Sequence, residues 1–444
     1  MSADWKSRPL TELVEFLNYK RVPLSTMQRQ NRKGEYPYYG ASGIVDYLDD
    51  YIFDGEYLLI SEDGENLRTR KTPIAFKAKG KFWVNNHAHI LAEKEEGILD
   101  YLEYYFSILN ISPCITGAVQ PKLNKKNLES IEVLIPEKVE RLQINDILNS
   151  LTNKIELNHQ INQTLETMAQ AIFKSWFVDF EPVKAKIAAI EAGEDAEGVT
   201  HAAMSAISGK TDEALDQLQA EQPENYTQLE TTAELFPSVM QDSELGEVPE
   251  GWEISTIGDE VDVVGGGTPS TKNPEFWEGG EIHWTTPKDL SNLSDKILLT
   301  TDRKITVAGL KNISSGLLPI NTVLMSSRAP VGYLALAKIP VAINQGYIAM
   351  ICDKRLSPEF VIQWCNSVMD TIKQRSSGTT FAEISKKNFK VIPVIVPSEE
   401  IQQSYSKLVS GFYDKIAEAA MECKTLSDIR DSLLPKLLSG EIIP

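Results

Sequence analysis

The chain carries two kinds of hydrophobic pattern. From Ile144 to Phe177, apolar residues return every three or four positions: Leu148, Leu151, Ile155, Ile161, Leu165, Met168 and Ile172. The same spacing recurs near the C-terminus at Leu408, Phe412, Ile416, Leu426, Ile429 and Leu433. This period predicts two long amphipathic helices with a coiled-coil seam. Ser398 is placed to cap the second, with Ile401 one turn in. The 34 residues Ile144 to Phe177 would span about 50 Å of helix at 1.5 Å per residue. Elsewhere the apolar runs are short and β-rich, broken by Gly, Pro and Asn, as at Tyr57–Ser61, Lys81–Val84, Val323–Ser326 and Val391–Val396. These predict compact α+β domains built on twisted sheets.

The two patterns occur twice because the sequence is duplicated. Thr116–Pro136 aligns without gaps on Ser377–Pro397 at an offset of 261, with Gly117/Gly378, Lys125-Lys126-Asn127/Lys386-Lys387-Asn388 and Pro136/Pro397 identical. The register continues through Leu148/Val409, Leu151/Phe412, Lys154/Lys415, Ile155/Ile416, Leu165/Leu426, Met168/Ile429 and Ile172/Leu433. Trp5 and Leu10 parallel Trp252 and Ile257, and Asn86-His87 parallels Asn344-Gln345, at slightly different offsets. Each unit is therefore a globular segment followed by a long helix. If the helices pair antiparallel, a pseudo-two-fold relates two similar but unlike heads, held about one and a half DNA turns apart. A duplicated scaffold that binds no nucleic acid satisfies the same geometry.

The expected organisation is a first globular domain at 1–137, a central long helix at 138–180 and an acidic helical connector at 181–250. A second globular domain follows at 251–398 and a C-terminal long helix at 399–444. Composition is that of a globular chain: 444 residues, 42% hydrophobic and 24% charged, which excludes wholesale disorder, a collagen-like chain and a small disulfide scaffold. The net charge of −19 argues at first against a polyanionic partner. Its distribution removes much of that objection. Residues 181–250 hold 3 basic and 16 acidic residues, while 1–136 hold 17 and 19 and 251–397 hold 15 and 14. The acidic stretch is expected to be a solvated surface or a partner-docking face.

Cys114, Cys352, Cys365 and Cys423 are scattered, which points to inert thiols in a reducing cytoplasm. The N-terminus lacks the apolar run of a signal peptide, and no run is long enough to span a membrane. Catalytic constellations are missing. His87-Ala-His89 sits in an alternating run that would put both rings on one strand face, a weak zinc pair at best. Gly265-Gly266-Gly267-Thr268 lacks the G-K-[ST] of a phosphate loop and reads as a flexible turn. Asn273-Pro274-Glu275-Phe276 touches the N-P-P-[FY] pattern of amino-methyltransferases, but Glu275 replaces the second proline and no Gly-rich strand–turn for S-adenosylmethionine accompanies it.

Basic stretches carry more information. Between Asn66 and Lys81 stand Arg68, Arg70, Lys71, Lys77, Lys79 and Lys81 with no acid, followed by Phe82 and Trp83. In the second unit Lys373, Arg375, Lys386, Lys387 and Lys390 surround Ser376-Ser377-Gly378-Thr379-Thr380. Such clusters are suited to phosphate contact, although any one of these residues is equally suited to a solvated face.

Several stretches together resemble the specificity (S) subunit of type I restriction–modification systems. They are Tyr38-Tyr-Gly-Ala-Ser-Gly-Ile-Val-Asp-Tyr, Ile60-Ser-Glu-Asp-Gly-Glu-Asn-Leu and Trp83-Val-Asn-Asn-His-Ala-His-Ile in the first half. The second half adds Gly266-Gly-Thr-Pro-Ser, Pro274-Glu-Phe-Trp, Trp284-Thr-Thr-Pro-Lys-Asp-Leu and Ser326-Ser-Arg-Ala-Pro-Val-Gly-Tyr. The ends of the helices, Phe173-Lys-Ser-Trp-Phe-Val-Asp-Phe-Glu-Pro and Leu433-Leu-Pro-Lys-Leu-Leu-Ser-Gly-Glu, fit as well. The resemblance implies two target-recognition domains, each reading half of an asymmetric bipartite site in double-stranded DNA. It implies paired helices that dock two modification (methyltransferase) subunits, and restriction (endonuclease/translocase) subunits beyond them. The chain itself would then catalyse nothing and bind no cofactor. S-adenosylmethionine, ATP and Mg would sit in its partners.

Residue by residue, the resemblance and the basic clusters place first-domain DNA contacts at Glu62, Asp63, Asn66, Arg68, Arg70, Lys71, Asn86, His87, His89, Gln120, Lys122, Lys125 and Lys126. Second-domain contacts fall at Thr268, Ser270, Thr271, Lys272, Trp284, Thr285, Thr286, Lys288, Arg328, Arg375, Ser377, Gly378, Thr379, Lys386 and Lys387. The halves differ at Ser61-Glu-Asp-Gly against Ser326-Ser-Arg-Ala; an acid there accepts from a cytosine amino group, whereas arginine favours guanine or phosphate. Two other readings stay open on sequence: a self-contained DNA adenine methyltransferase, and a coiled-coil scaffold without DNA binding.

Overall fold

The computed structural model describes residues 5–328, 330–378 and 382–444. The chain forms two compact units, Met1–Glu156 with Lys424–Pro444, and Leu157–Cys423. Both boundaries fall inside long helices, the central helix Lys138–Phe177 and the C-terminal helix Glu399–Leu438, each of 40 residues. The two helices begin 261 positions apart and end 261 positions apart, the offset of the sequence duplication.

The first unit contains strands β1 (Lys6–Pro9), β2 (Val14–Phe16), β3 (Lys33–Gly40), β4 (Gly43–Leu48), β5 (Phe53–Ser61), β6 (Ala75–Val84), β7 (Ala88–Glu93) and β8 (Glu132–Ile135). Six of them form one sheet in the order β2-β7-β5-β6-β3-β4, antiparallel except for the β3–β6 pair. The second unit opens with a hairpin, β9 (Met240–Ser243) and β10 (Gly246–Pro249). It continues with β11 (Glu253–Thr256), β12 (Asp262–Val264), β13 (Ile282–Thr285), β14 (Ile297–Leu298), β15 (Arg303–Ile305), β16 (Val323–Ser326), β17 (Leu334–Ala337), β18 (Ala342–Ile343), β19 (Tyr347–Ile351) and β20 (Pro393–Val396). Its main sheet, β12-β19-β16-β17-β14, repeats the first five strands of the other sheet, including one parallel pair at β14–β17. The β1–β8 and β11–β20 ladders also match, Lys6 facing Ile135 as Glu253 faces Val396. The heads diverge at their edges. The first adds β4 beside β3, and the second adds a small sheet, β15-β13-β18.

Each core is closed by helix segments from both repeats. In the first unit Ile144 and Leu148 of the central helix join Leu434, Leu437 and Leu438 of the C-terminal helix against Leu58, Leu91, Tyr101 and Phe106. In the second, Phe173, Trp176 and Phe177 of the central helix pack on Tyr405 of the C-terminal helix and on Phe360, with ring centroids 5.0–6.2 Å apart. The pairing there is antiparallel: Asn158 donates to Glu422 at 2.7 Å and Asn162 lies against the Ile416 carbonyl at 3.5 Å, while Phe173 reaches Tyr405. Glu166 is part of the same surface. Burial pushes its carboxyl up, but Lys296 at 2.9 Å and Gln363 at 3.2 Å outweigh burial and hold it below the ordinary value.

The expected seam needs correction. Met168, Leu408 and Ile429 are 44%, 42% and 43% exposed, and Leu151, Ile155, Leu165, Ile172, Phe412, Leu426 and Leu433 are only partly buried. The buried positions include Ile401, Tyr405, Val409, Tyr413 and Ile416 on one helix and Ile144, Leu148, Ala169, Phe173 and Trp176 on the other. Each helix has apolar residues on more than one side, and the buried side is chosen by the sheets and short helices it covers. Between the domains, the acidic stretch forms four helices, Glu181–Ala192, Ala196–Ser208, Asp212–Glu221 and Pro223–Leu235. Its small core is Ala203, Met204, Leu215 and Ala233.

These contacts set contrasting costs for truncation. Phe173→Ala should destabilise the second unit by about 3–5 kcal/mol and Leu437→Ala the first unit by about 2–5. Met168→Ala should stay within about 0.5 kcal/mol. Denaturant unfolding followed by unit-specific hydrogen exchange measures all three.

Candidate nucleic-acid interface

The strand that ends in Ser61 in the first domain and Ser326 in the second leads into a loop held the same way in both. Glu62 N donates to the His87 carbonyl at 2.8 Å, as Ser327 N donates to the Gly346 carbonyl at 2.8 Å. Leu123 N donates to the Glu62 carbonyl at 2.8 Å, as Ile384 N donates to that of Ser327 at 3.0 Å. Asp63 then bridges Lys122, which bridges Thr116; in the second domain Arg328 bridges Glu383, which bridges Ser377. Thr116 and Ser377, and Lys122 and Glu383, are 261 positions apart. The backbone is thus one design used twice, with the charges at its two central positions reversed.

Local structure explains the hold. Gly117 has φ +86° and a Cβ there would stand 2.2 Å from the Gln120 carbonyl oxygen, so only glycine turns this loop. Asn124 and Ser385, again 261 apart, cap short helices by accepting from Asn127 N at 2.9 Å and Asn388 N at 3.1 Å. Those helices present Lys125-Lys126 and Lys386-Lys387, all exposed. Gly266 lies where a Cβ would meet the Ile343 carbonyl oxygen at 1.9 Å. That close approach, not flexibility, is why position 266 is a glycine. It lets Thr268 Oγ1 reach Gln345 Oε1 at 2.6 Å.

The first-domain loop is built on an ion network. Glu62 accepts from Arg21 Nη1 at 2.7 Å and lies 3.3 Å from Lys122 Nζ and 3.8 Å from His89 Nδ1. Burial raises the Glu62 carboxyl, but Arg21, His89 and Lys122 outweigh it and hold it below the ordinary value. Asp63 takes His87 Nδ1 at 2.9 Å. His89 is buried, with Nε2 2.7 Å from the Leu123 carbonyl and Nδ1 2.8 Å from Asn18 Nδ2. This pattern fits a neutral ring protonated on Nε2. Burial lowers its pKa below 6.5 against the pull of Leu123 and Glu62.

Several expected contacts are structural instead. His89, Trp284 and Thr285 are buried: Trp284 Nε1 donates to the Gly267 carbonyl at 3.1 Å, and Thr285 Oγ1 meets the Tyr347 hydroxyl at 3.0 Å. Arg70 spends its guanidinium on the Phe106, Ser107 and Leu109 carbonyls at the end of the helix Ile98–Ile108. Asn66 closes its own turn through Thr72, and Thr286 caps the turn Pro287–Ser291. His87 and His89 do not share a strand face, because His87 precedes β7 in an exposed turn. Among the described residues no group of three or more His, Cys, Asp or Glu is arranged to hold a metal. Asn273 accepts from Glu275 N at 3.2 Å and so caps a short turn.

The remaining candidates line the loops. Lys71, Asn86, His87, Gln120, Lys122, Lys125 and Lys126 are exposed in the first domain, with Asp63 half-buried and Arg68 donating to the Gly117 carbonyl at 2.8 Å. In the second, Thr268, Ser270, Thr271, Lys272, Lys288, Arg375, Ser377, Gly378, Lys386 and Lys387 are exposed, and Arg328 stands 4.0 Å from Glu383. Thr379 and Thr380 lie outside the described residues. The basic run before Trp83 is largely answered by acids: Lys77 faces Glu56, Asp100 and Glu103, and Lys79 pairs with Glu56. Phe82 and Trp83 are core residues. Sequence reasoning missed Arg21 and Asn18, which sit far along the chain from the motifs they support.

A family model for the type I restriction modification DNA specificity domain matches residues 2–167 and 249–421. The chain belongs to this family. The matched segments are the two globular domains with much of their long helices, and most of the acidic helical stretch lies outside them. The chain is 38% identical over 330 residues to the HindI type I restriction enzyme specificity subunit of Haemophilus influenzae, covering 72% of this chain and 71% of that protein. It is 35% identical over 191 residues to the MjaIX specificity subunit of Methanocaldococcus jannaschii, covering 43% and 44%. In fold it is similar to the crystal structure of an S subunit from M. genitalium, with TM-score 0.58 and 15% identity over 99% of this chain and 96% of that one. This specificity subunit therefore carries two DNA-sequence recognition domains. No described helix is long and apolar enough to cross a membrane.

The state of His89 has a pH consequence. The unfolded chain takes up this proton near pH 6.5, whereas the folded domain resists it. The stabilisation is therefore complete above pH 6.5 and declines as pH falls below it. Glu62 adds a loss in the same direction only below about pH 4.5, its ordinary value. Unfolding of the first unit between pH 7 and 5 should show declining stability, and His89→Gln should flatten that slope.

Proposed function

We propose that the chain reads an asymmetric bipartite site in double-stranded DNA, one half with each domain. On this reading it directs two modification subunits, and restriction subunits with them, to that site. The observation that carries it is the shared loop with reversed charge, Asp63–Lys122 against Arg328–Glu383. A common backbone places the two positions alike, and opposite charges there favour different base edges: a carboxylate accepts from a cytosine amino group, and a guanidinium donates to guanine. The exposed lysines beside it, Lys125-Lys126 and Lys386-Lys387, would contact phosphate and set register without reading sequence.

The subunit is non-catalytic on this reading and acts in the cytoplasm. S-adenosylmethionine, ATP and Mg belong to the partner subunits, and adenine methylation and DNA cleavage take place there. The helices supply the spacing between half-sites. Because the first 136 residues and residues 251–397 are each close to neutral, the lone chain gains little from counterion release. Affinity then rises when modification subunits close on the duplex.

Sequencing of adenine methylation in cells carrying the intact system tests the assignment. Exchange of the charges in the first domain, Asp63→Arg with Lys122→Glu, should change one half of the methylated motif and leave the other intact. An unaltered motif would sink the reading. The isolated chain should bind its site more weakly, by about tenfold or more, than the complex with modification subunits; equal affinities in moderate salt would defeat the charge argument.

A further inference from the structure

A cleft of about 660 Å³ opens in the second unit beside the start of the C-terminal helix, lined among others by Glu253, Arg355, Ser357, Ser398, Glu399 and Gln402. Its polar groups are unevenly satisfied. Gln402 is only 6% exposed, and its Oε1 has no hydrogen-bond donor. Glu359, next along the chain from the lining residue Pro358, is 5% exposed. Its carboxylate meets the lining residue Ser406 at 3.3 Å, with no cation in ion-pair range among the described residues.

The donors nearby are already engaged. Arg355 binds Glu260 at 2.6 Å and Glu253 at 2.7 Å, and Lys354 pairs with Asp262 at 3.0 Å. The helix starts are capped, Ser357 Oγ accepting from Phe360 N at 3.2 Å and Ser398 Oγ from Ile401 N at 3.4 Å. What Gln402 Oε1 lacks is a donor, and what Glu359 lacks is a charged one.

The first repeat contains that donor. Arg141, 261 positions before Gln402, is buried, and its guanidinium donates to Glu95 at 3.3 Å and to the Glu96 carbonyl at 3.0 Å. The second repeat has a shorter neutral amide at this helical position and leaves the space open. We propose that this cleft is a receptor for an arginine side chain of a partner protein, whose guanidinium would take the place beside the C-terminal helix that the side chain of Arg141, on the central helix, fills in the first repeat. The guanidinium would supply Gln402 Oε1 with its missing donor and reach toward Glu359, which lies behind the lining residue Ser406 and lacks a counter-ion. This assignment uses no DNA contact and stands or falls apart from the recognition reading.

Titration of the full chain with Nα-acetyl-argininamide, followed by saturation-transfer NMR, tests it. The neutral isostere Nα-acetyl-citrullinamide should bind at least about tenfold more weakly, as should the arginine probe to Glu359→Gln. Gln402→Arg should fill the cleft with its own guanidinium, raise the Tm and abolish probe binding. Equal affinity for the two probes, or undiminished binding to both variants, would overturn the proposal. Free L-arginine binding far better than the capped form would overturn the partner-protein assignment, because a metabolite would then be the ligand.

Discussion

The structure depends on an exchange of helix ends. The first core is sealed by Leu434, Leu437 and Leu438 from the end of the second repeat, and the second core by Phe173, Trp176 and Phe177 from the end of the first. Neither repeat completes its own hydrophobic core. A duplicated gene would otherwise yield two independent domains on a linker; here burial itself ties them, because separating the repeats exposes large apolar side chains in both units. Each such side chain contributes roughly 1.5–3 kcal/mol through burial, so the exchange is the strongest constraint on how the chain is connected.

That constraint frees the loops. With β1–β8 and β11–β20 in the same register and the same five-strand order behind them, the Asp63–Lys122 and Arg328–Glu383 positions are fixed by backbone hydrogen bonds. Their backbone course is then set independently of which charges the side chains carry. Reversal of charge at a conserved geometry is the simplest way for one scaffold to prefer two different partners.

Much of this was legible in the sequence. The offset of 261 survives from the loops through the helices because the segment has no insertions, and the structure returns it at both helix ends and both caps. The helical seam was less legible. Leu408 and Met168 satisfy the apolar spacing as well as Val409 and Ala169 do, and only the surrounding sheets and helices decide which side is buried. Tyr405 and Tyr413 carry the seam although their hydroxyls disguise them. At the site, motif likeness could not separate surface from core. Trp284 and Thr285 lie inside on β13 and His89 on β7, their polar atoms bonded within the domain to the Gly267 carbonyl, Tyr347 and the Leu123 carbonyl.

The ion pairs bear on what kind of reader these domains are. Lys77, Lys79, Arg21 and Lys122 already have carboxylate partners, so bringing a phosphate to them means exchanging one anion for another. Such an exchange gains little net affinity, since the desolvation and pairing terms largely cancel. It discriminates well, because a base edge that fails to replace the lost partner leaves a charge unpaired. A chain of −19 net charge is thus a coherent design for a specificity component. Most of the excess acid sits in the helical stretch at 181–250, and the cations named above are already answered by carboxylates.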